Sequence, residues 1–471
     1  MLTIKIYNTL TGKKQALKPL SKNKINLFVC GPTVQDQPHL GHARTYLVYD
    51  FFVNFLKFAG FDVFYLQNIT DIDDKIINKA REKQTTSKKI AREYEKIYHQ
   101  QMKKLKINSV TRHARATEFI PQIISQVKRM FDKKIAYQTG DGIYFNVNKF
   151  KDYGKLAKRT GLQAQDSVSR IDDSIDKKNK ADFCLWKFSK PNEPNWPSPW
   201  GKGRPGWHIE DTAISEHFFG PRYNIHGGAI DLIFPHHESE IAQMESISGK
   251  KPLVQIWMHT GFLLVNSKKM SKSLGNFITV SQLLEKERPE TVRFFIANFH
   301  YRTPINFSFK AFNQSKQAWE KLNQFYSQII GLKPGKTVKP NPKLEKLISK
   351  TEKEFLANLA DDFNTAKALG LLFELIRKIY QDDPFLTQIS RQTQEEIIRL
   401  LEKINSIFKI FIRKKSEVIP RKITVLLAQR KKLRENKKWE QADKIRREIE
   451  RLGWQVIDSP KKPIAKKIKN A

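Results

Sequence analysis

Between Ile25 and Leu66 the chain reads as strand, loop, long apolar helix and strand, an order that leaves few folds open. Ile25 to Gly31 is a short, largely apolar run ending in glycine, and Phe61 to Leu66 is strand-like again. Between them, Gly41 to Ala59 carries closely spaced Tyr, Leu, Val and Phe, as a buried helix does. This is the βαβ unit of a parallel sheet, whose ligands gather beyond the carboxyl ends of the strands. The loop before the helix, which holds His39 and His42, is therefore an expected site. Asp50, Asn54, Lys57 and Asp62 interrupt the most apolar region, so no membrane span is expected.

A chain of 471 residues has room for three or four domains. Its 85 Lys and Arg against 48 Asp and Glu leave a net charge of +37, an excess that favours a polyanionic partner, nucleic acid first. Only Cys30 and Cys184 occur, too few to staple such a chain, which fits a reducing cytosol. The N-terminus lacks the basic start and apolar run of a secretory signal, so a cytoplasmic location is expected.

Asp71 to about Asn108 is helical and highly charged. Thr111 to about Asp182 mixes helix signals with the turn dipeptide Asp141-Gly142, and is read as an inserted subdomain. Pro191 to Pro205 has loop composition, and strand-like runs return at Ala229 to Phe234 and Ile256 to Val265. Beyond Arg302 the pattern is helical to the end, broken by a linker from Lys333 to Pro342, with a bundle over Leu344 to Arg413. Two short amphipathic helices then meet Gly453 as a stop, before the strand-like Trp454 to Ile457. From Arg421 onward there are 17 Lys or Arg against 6 Asp or Glu, a small basic module. The division read from this is 1–115 with 206–265, an insert at 116–205, a junction at 266–332, the bundle at 343–415 and the basic module at 420–471.

Two motifs point to phosphate chemistry. Pro38-His39-Leu40-Gly41-His42 puts two imidazoles at the positive end of a helix, where they can donate to phosphoryl oxygens while Gly41 admits a nucleotide. Two loop histidines also serve simply as helix caps. Lys268-Lys269-Met270-Ser271-Lys272-Ser273 follows the strand Phe262 to Val265; its lysines are mobile point charges suited to a triphosphate, or a solvated basic loop. A third constellation concerns a metal: His236 and Glu240 stand four apart, on one helical face, and Cys30 follows a strand. The plain alternative is that these residues only hydrogen-bond within the fold and that Cys30 is an ordinary buried residue.

The paired early His-x-Gly-His and late Lys-Met-Ser-Lys-Ser strings resemble those of class I aminoacyl-tRNA synthetases. Within that class the chain is similar to the cysteinyl-tRNA synthetase family, through Phe28-Val29-Cys30-Gly31-Pro32-Thr33-Val34, Asn68-Ile69-Thr70-Asp71-Ile72-Asp73-Asp74-Lys75, Gly206-Trp207-His208-Ile209-Glu210 and Phe234-Pro235-His236-His237-Glu238. Asp361-Asp362-Phe363-Asn364 in the bundle and Trp439-Glu440-Gln441-Ala442-Asp443 near the end extend the resemblance over essentially the whole chain.

The resemblance implies an α/β fold: a Rossmann-like parallel-sheet catalytic domain with an inserted subdomain, then a helical bundle and a basic anticodon-binding module. It implies ligation of L-cysteine to the terminal adenosine of tRNA through an adenylate, with ATP and magnesium. His39, His42, Lys269 and Lys272 would be catalytic. ATP would lie on Pro38, His39, Leu40, Gly41, His42, Lys269, Met270, Ser271, Lys272 and Ser273, and Trp207 and Thr70 would bind the amino acid. One zinc ion would be held by Cys30, Asp211, His236 and Glu240. Asp211 stands where the family usually has a second cysteine, making a harder, more anionic site. Gln35 and Ala229 also depart from the pattern, as does the tail from Lys461 with its five lysines. Trp439 and Trp454 are stacking surfaces for RNA or core residues. A monomer is favoured. The competitors are a cysteine-activating ligase acting on an amino sugar, an RNA-binding paralogue without chemistry, and a synthetase of altered amino-acid choice.

Overall fold

The computed structural model describes residues 2–158, 176–270, 275–335, 337–384, 386–412, 421–457 and 464–467. The chain divides into two compact units, 1–412 and 413–471. The first half of unit one runs β1 (Lys5–Asn8), β2 (Lys13–Ala16), β3 (Lys24–Val29), α1 (Leu40–Phe58), β4 (Asp62–Ile69), α2 (Asp74–Glu82), α3 (Ser87–Lys104), β5 (Arg112–Arg115), α4 (Ile120–Asp132), β6 (Ala136–Gln138), β7 (Gly142–Phe145), β8 (Phe183–Phe188) and β9 (Gly203–Pro205). The second half runs α5 (Trp207–Phe219), β10 (Tyr223–Ala229), α6 (Glu238–Ser248), β11 (Val254–Thr260), β12 (Leu263–Val265), β13 (Lys268–Lys269), α7 (Val280–Lys286), α8 (Pro289–Ala297), β14 (Ile305–Phe307), α9 (Phe309–Gly331), α10 (Pro342–Ala360), α11 (Thr365–Asp382) and α12 (Arg391–Phe408).

Five strands form a parallel sheet in the order β11-β10-β3-β4-β5, with Leu27 of β3 opposite Ile225 on one side and Tyr65 on the other. Successive residues of β3 and β4 are buried on both faces, as expected where helices cover both. Helix α1 buries 14 of its 19 residues, so it has almost no solvent face. Its one buried acid, Asp50, meets the fully buried Arg293 of α8 at 2.7 Å and also accepts from the Asn108 and Ser109 amides. Arg293 donates in turn to the carbonyls of Leu105, Lys106 and Phe408, so the pair is hydrogen-bonded on every side. The bundle helices share this core: Phe408 of α12 packs edge-on against Phe51 of α1 at 5.3 Å.

Residues 136–205 carry an antiparallel sheet, β6-β7-β8-β9, whose apolar cluster is shared with the parallel sheet through Phe28, Leu66 and Trp257; within it the Phe145 and Phe183 rings stack at 4.9 Å. In unit two, α13 (Arg421–Glu435) and α14 (Trp439–Arg451) end at Gly453, whose φ of +79° suits a helix stop, and β15 (Trp454–Ile457) pairs antiparallel with β16 (Ile464–Lys467). No helix among the described residues is long and apolar enough to cross a membrane.

Several sequence expectations are corrected. The strand read at Ala229 to Phe234 is instead Tyr223–Ala229, and the apolar residues after it coil into helical turns; Pro235 has no N–H to give a ladder. Ile256 to Val265 is not one strand, because the chain leaves the parallel sheet at Gly261. A Cβ there would meet the Arg302 carbonyl oxygen at 2.4 Å. Ile305–Phe307, read as helical, is a strand paired with β12, and Gly203–Pro205, read as loop, pairs with β8. Both are only three residues long, too short for periodicity to register.

Candidate active site at the carboxyl ends of the parallel strands

Two groups of side chains converge at the carboxyl ends of β3, β4 and β10. The first is the histidine pair. His39 caps α1, its Nδ1 accepting from the Gly41 amide at 3.1 Å, while His42 Nδ1 accepts from the His39 amide at 3.3 Å. With both Nδ1 atoms used as acceptors, a neutral ring carries its proton on Nε2, free to donate outward. The rings stack at 3.8 Å. Burial lowers His39 to about 4, and burial with the adjacent His39 lowers His42 well below the ordinary histidine value, so both are neutral at physiological pH. A Cβ on Gly41 would sit 2.8 Å from the His39 ring, so only glycine leaves this face open.

The lysine-rich loop reaches the same place by backbone pairing. Leu40 N–H donates to Ile278 O and Val280 N–H to Pro38 O, both at 2.9 Å, which joins the start of α1 to the chain just beyond the loop. Phe277 sets its edge against His39 at 5.2 Å, and the Met270 methyl lies beside Gly41. Lys269 is exposed on β13, its ammonium 5.7 Å from the Phe262 ring. Ser271, Lys272 and Ser273 lie outside the described residues.

The second group is a buried cluster. The ligating atoms of Cys30, Asp211, His236 and Glu240 all lie within 4.8 Å of one another, as do those of the overlapping set Cys30, His226, His237 and Glu240. Cys30 follows β3, Asp211 lies on α5, and Glu240 opens α6 just after His236. His236 Nε2 is 3.1 Å from Asp211 Oδ2 and 3.3 Å from Glu240 Oε1, while its Nδ1 contacts His208 Nδ1 at 2.8 Å. Such a partner on the far ring nitrogen is how ligating imidazoles are oriented. Burial, then the charges of Asp211 and Glu240, push the Cys30 thiol well above its ordinary value, and burial with Asp211 pushes Glu240 up.

The residues fit a divalent cation. Both Glu240 carboxylate oxygens are shielded from solvent and neither accepts a hydrogen bond, a costly state that a cation would relieve. Trp207, 40% exposed, stacks on His236 at 4.2 Å, whereas Thr70 is buried and donates to Glu210 at 3.0 Å. The structure thus brings Cys30, Asp211, His236 and Glu240 together, and Trp207 beside them. Sequence reasoning missed the second row of imidazoles: His226 against Cys30 at 3.4 Å, His237 against Cys30 at 3.1 Å, and His259 behind His237 at 2.8 Å. The doublet His236-His237 was the available signal. Cys184 is buried in the insert.

Residues 16–317 match the model of the tRNA synthetases class I (C) catalytic domain, 354–412 the DALR domain, and 417–462 the cysteinyl-tRNA ligase anticodon binding domain. The fold is also that of a methionyl-tRNA synthetase from Mycobacterium tuberculosis solved with methionyl-adenylate, at TM-score 0.63 and 15% identity over 82% of this chain and 92% of that one. Fold and signature loops together define a class I aminoacyl-tRNA synthetase. Cysteine–tRNA ligases align over nearly the full length: that of Thermococcus gammatolerans is 42% identical over 99% of this chain and 100% of its own, and that of Thermoplasma volcanium 44% over 96% and 97%. The chain belongs to the cysteine–tRNA ligase family.

Proposed function

We propose that the chain joins L-cysteine to the 3′-terminal adenosine of its tRNA. The amino-acid carboxylate attacks the α-phosphorus of ATP and pyrophosphate leaves; the ribose hydroxyl then attacks the adenylate carbonyl and AMP leaves. His39 and His42, neutral and donating from Nε2, stabilise charge on the phosphoryl oxygens. Lys269, with Lys272, follows the departing pyrophosphate, and magnesium accompanies ATP. Pro38, Leu40, Gly41, Met270, Ser271 and Ser273 complete the nucleotide site.

Cys30, Asp211, His236 and Glu240 would hold zinc, with Trp207 over the substrate and Thr70 at the pocket floor. When bound there, the cation supplies Lewis-acid affinity for sulfur over oxygen, which separates cysteine from serine. The observation that carries this reading is the solvent-shielded Glu240 carboxylate, without hydrogen bonds, facing Cys30, Asp211 and His236. The match of 417–462 to an anticodon-binding domain supports tRNA over an amino sugar as acceptor. In unit two Trp454 is core, while Trp439 is 55% exposed beneath Arg434, so Trp439 is the stacking candidate. We read the enzyme as a cytoplasmic monomer, in keeping with its unbridged cysteines.

The test is cysteine transfer to a tRNA pool, with serine as competitor and bound metal assayed in the same sample. Metal-dependent charging with cysteine alone is expected. Charging without metal overturns the account of selectivity, and tRNA binding without charging favours a paralogue that lacks chemistry.

A further inference from the structure

Asp211 differs from Glu240, the cluster's other carboxylate, in one respect: one of its two oxygens is already taken. Asn68, buried at the end of β4, donates from Nδ2 to Asp211 Oδ1 at 2.6 Å, leaving Oδ2 alone to face His236 and the cluster. The orientation of the Asn68 amide follows from its other end, where Oδ1 accepts from the Gly31 amide; a flipped amide would turn its NH2 against that N–H. Gly31 cannot withdraw, since β3 and β4 are so close there that a Cβ on it would fall 1.7 Å from the Asn68 carbonyl oxygen. The amide is thus fixed by backbone, and the carboxylate by the amide. Glu240 has no such partner, both its oxygens being without hydrogen bonds.

We infer that Asn68 is a positioning residue that holds Asp211 as a one-oxygen ligand and so keeps a coordination position open for the substrate. The inference rests on the metal reading above. A carboxylate has two donor atoms and can bind a divalent cation through either or both. Were Asp211 to bind through both, its second oxygen would occupy the position that a substrate sulfur needs, since catalytic zinc sites keep one position open and extend to five ligands at most. A partner behind a ligand typically changes metal affinity by about 10- to 100-fold when removed.

The test is cobalt(II) loaded into the full chain, with four proteins compared: the native chain, Asn68→Ala, Asp211→Cys, and Asp211→Cys with Asn68→Ala. A thiolate has a single donor atom, so the Asn68 amide has nothing to restrain in the cysteine background. The native chain is expected to show thiolate-to-cobalt charge transfer and the intense visible bands of a four-coordinate ion. Asn68→Ala should weaken those bands, lower cobalt affinity by about 10- to 100-fold and blunt the spectral response to added L-cysteine. In the Asp211→Cys background the same substitution should leave band intensity unchanged.

Loss of the Gly31 contact is common to both backgrounds, so the difference between them isolates the carboxylate. Asn68→Leu, which fills the same volume with no polar atom, should reproduce the loss beside Asp211 and serves if the alanine variant does not fold. Equal losses in both backgrounds, or native spectra in Asn68→Ala, overturn the inference and leave the metal reading standing. A native chain without thiolate charge transfer overturns both.

Discussion

The histidine pair and the buried cluster flank the same strand ends, yet they are held by different means. The cluster is assembled by regular elements, with Cys30 after β3, Asp211 inside α5 and Glu240 at the start of α6, and its members are at most 6% exposed. The histidine pair stands beside a loop: His39 and His42 are fixed by α1, and Met270 lies beside Gly41 where the backbone of 38–40 pairs with 278–280. On the proposed function, a pocket that recognises one sulfur atom gains from rigidity, whereas groups that follow pyrophosphate as it leaves gain from a tether. The two halves should therefore respond differently when single side chains are removed.

The largest effect is expected in the cluster. His236→Ala should abolish stoichiometric metal binding and lower cysteine activation by more than about 10³-fold, beyond the range for groups behind a ligand. Metal analysis alongside pyrophosphate exchange checks it, and activity surviving with no metal bound would end the contrast. Next comes the phosphate side: His42→Ala should lower kcat by about 10²- to 10³-fold, as for loss of one transition-state donor, with metal content unchanged. A matching loss of metal would mean the two sites form one cooperative unit.

That contrast also separates what could be read in the sequence from what could not. The strand–helix–strand unit was legible because Ile25 to Leu66 has an unbroken change of period, and His39-x-Gly-His42 because four residues at one helix start carry the whole motif. Of the candidate ligands, His236 and Glu240 were legible from their spacing and Cys30 from its place after a strand, while Asp211 was named from resemblance; the fold brings all four within reach of one another. Asn68 and the second row of imidazoles stayed hidden because their roles arise from contacts between residues far apart in the chain, Asn68 with Asp211 across 143 residues and Cys30 with His237 across 207. The short strands β9 and β14 were missed for a similar reason, since pairing rather than composition makes them strands. Asp50 was read only as an obstacle to membrane insertion; nothing local announced its pairing with Arg293, 243 residues away.

Acidification gives a third effect, on stability before activity. Burial lowers His39 to about 4, His113 to about 4 and His259 to about 3, from an ordinary value of 6.5. The unfolded chain takes up these protons first, so the stability they contribute is complete above pH 6.5 and declines as pH falls from there toward 4. Tm should drop by several degrees over that window in thermal melts. Single-turnover adenylate formation at saturating substrate should nevertheless show no inflection near pH 6.5 from His39. A midpoint near 6.5 would mean that the ring is protonated there, contrary to the neutral-donor role proposed for it.

The smallest expected effect sharpens the comparison most, because each half of the pocket has one aromatic ring set against a key imidazole. Phe277 meets His39 edge-on at 5.2 Å and belongs to the chain beyond the lysine loop; Trp207 stacks on His236 at 4.2 Å from the first turn of α5. Aromatic pairs of this kind are worth about 0.5–1.5 kcal/mol, or about 2- to 10-fold in rate or affinity. If the phosphate side is held by its loop, Phe277→Ala should cost that factor in kcat for adenylate formation, with KM for cysteine unmoved. If the cluster is held by its helices, Trp207→Ala should leave metal content intact and raise KM for cysteine by the same factor. Rapid-quench measurement of both constants in both variants decides it, and a Phe277→Ala effect confined to cysteine KM would show that the loop orders the cluster as well.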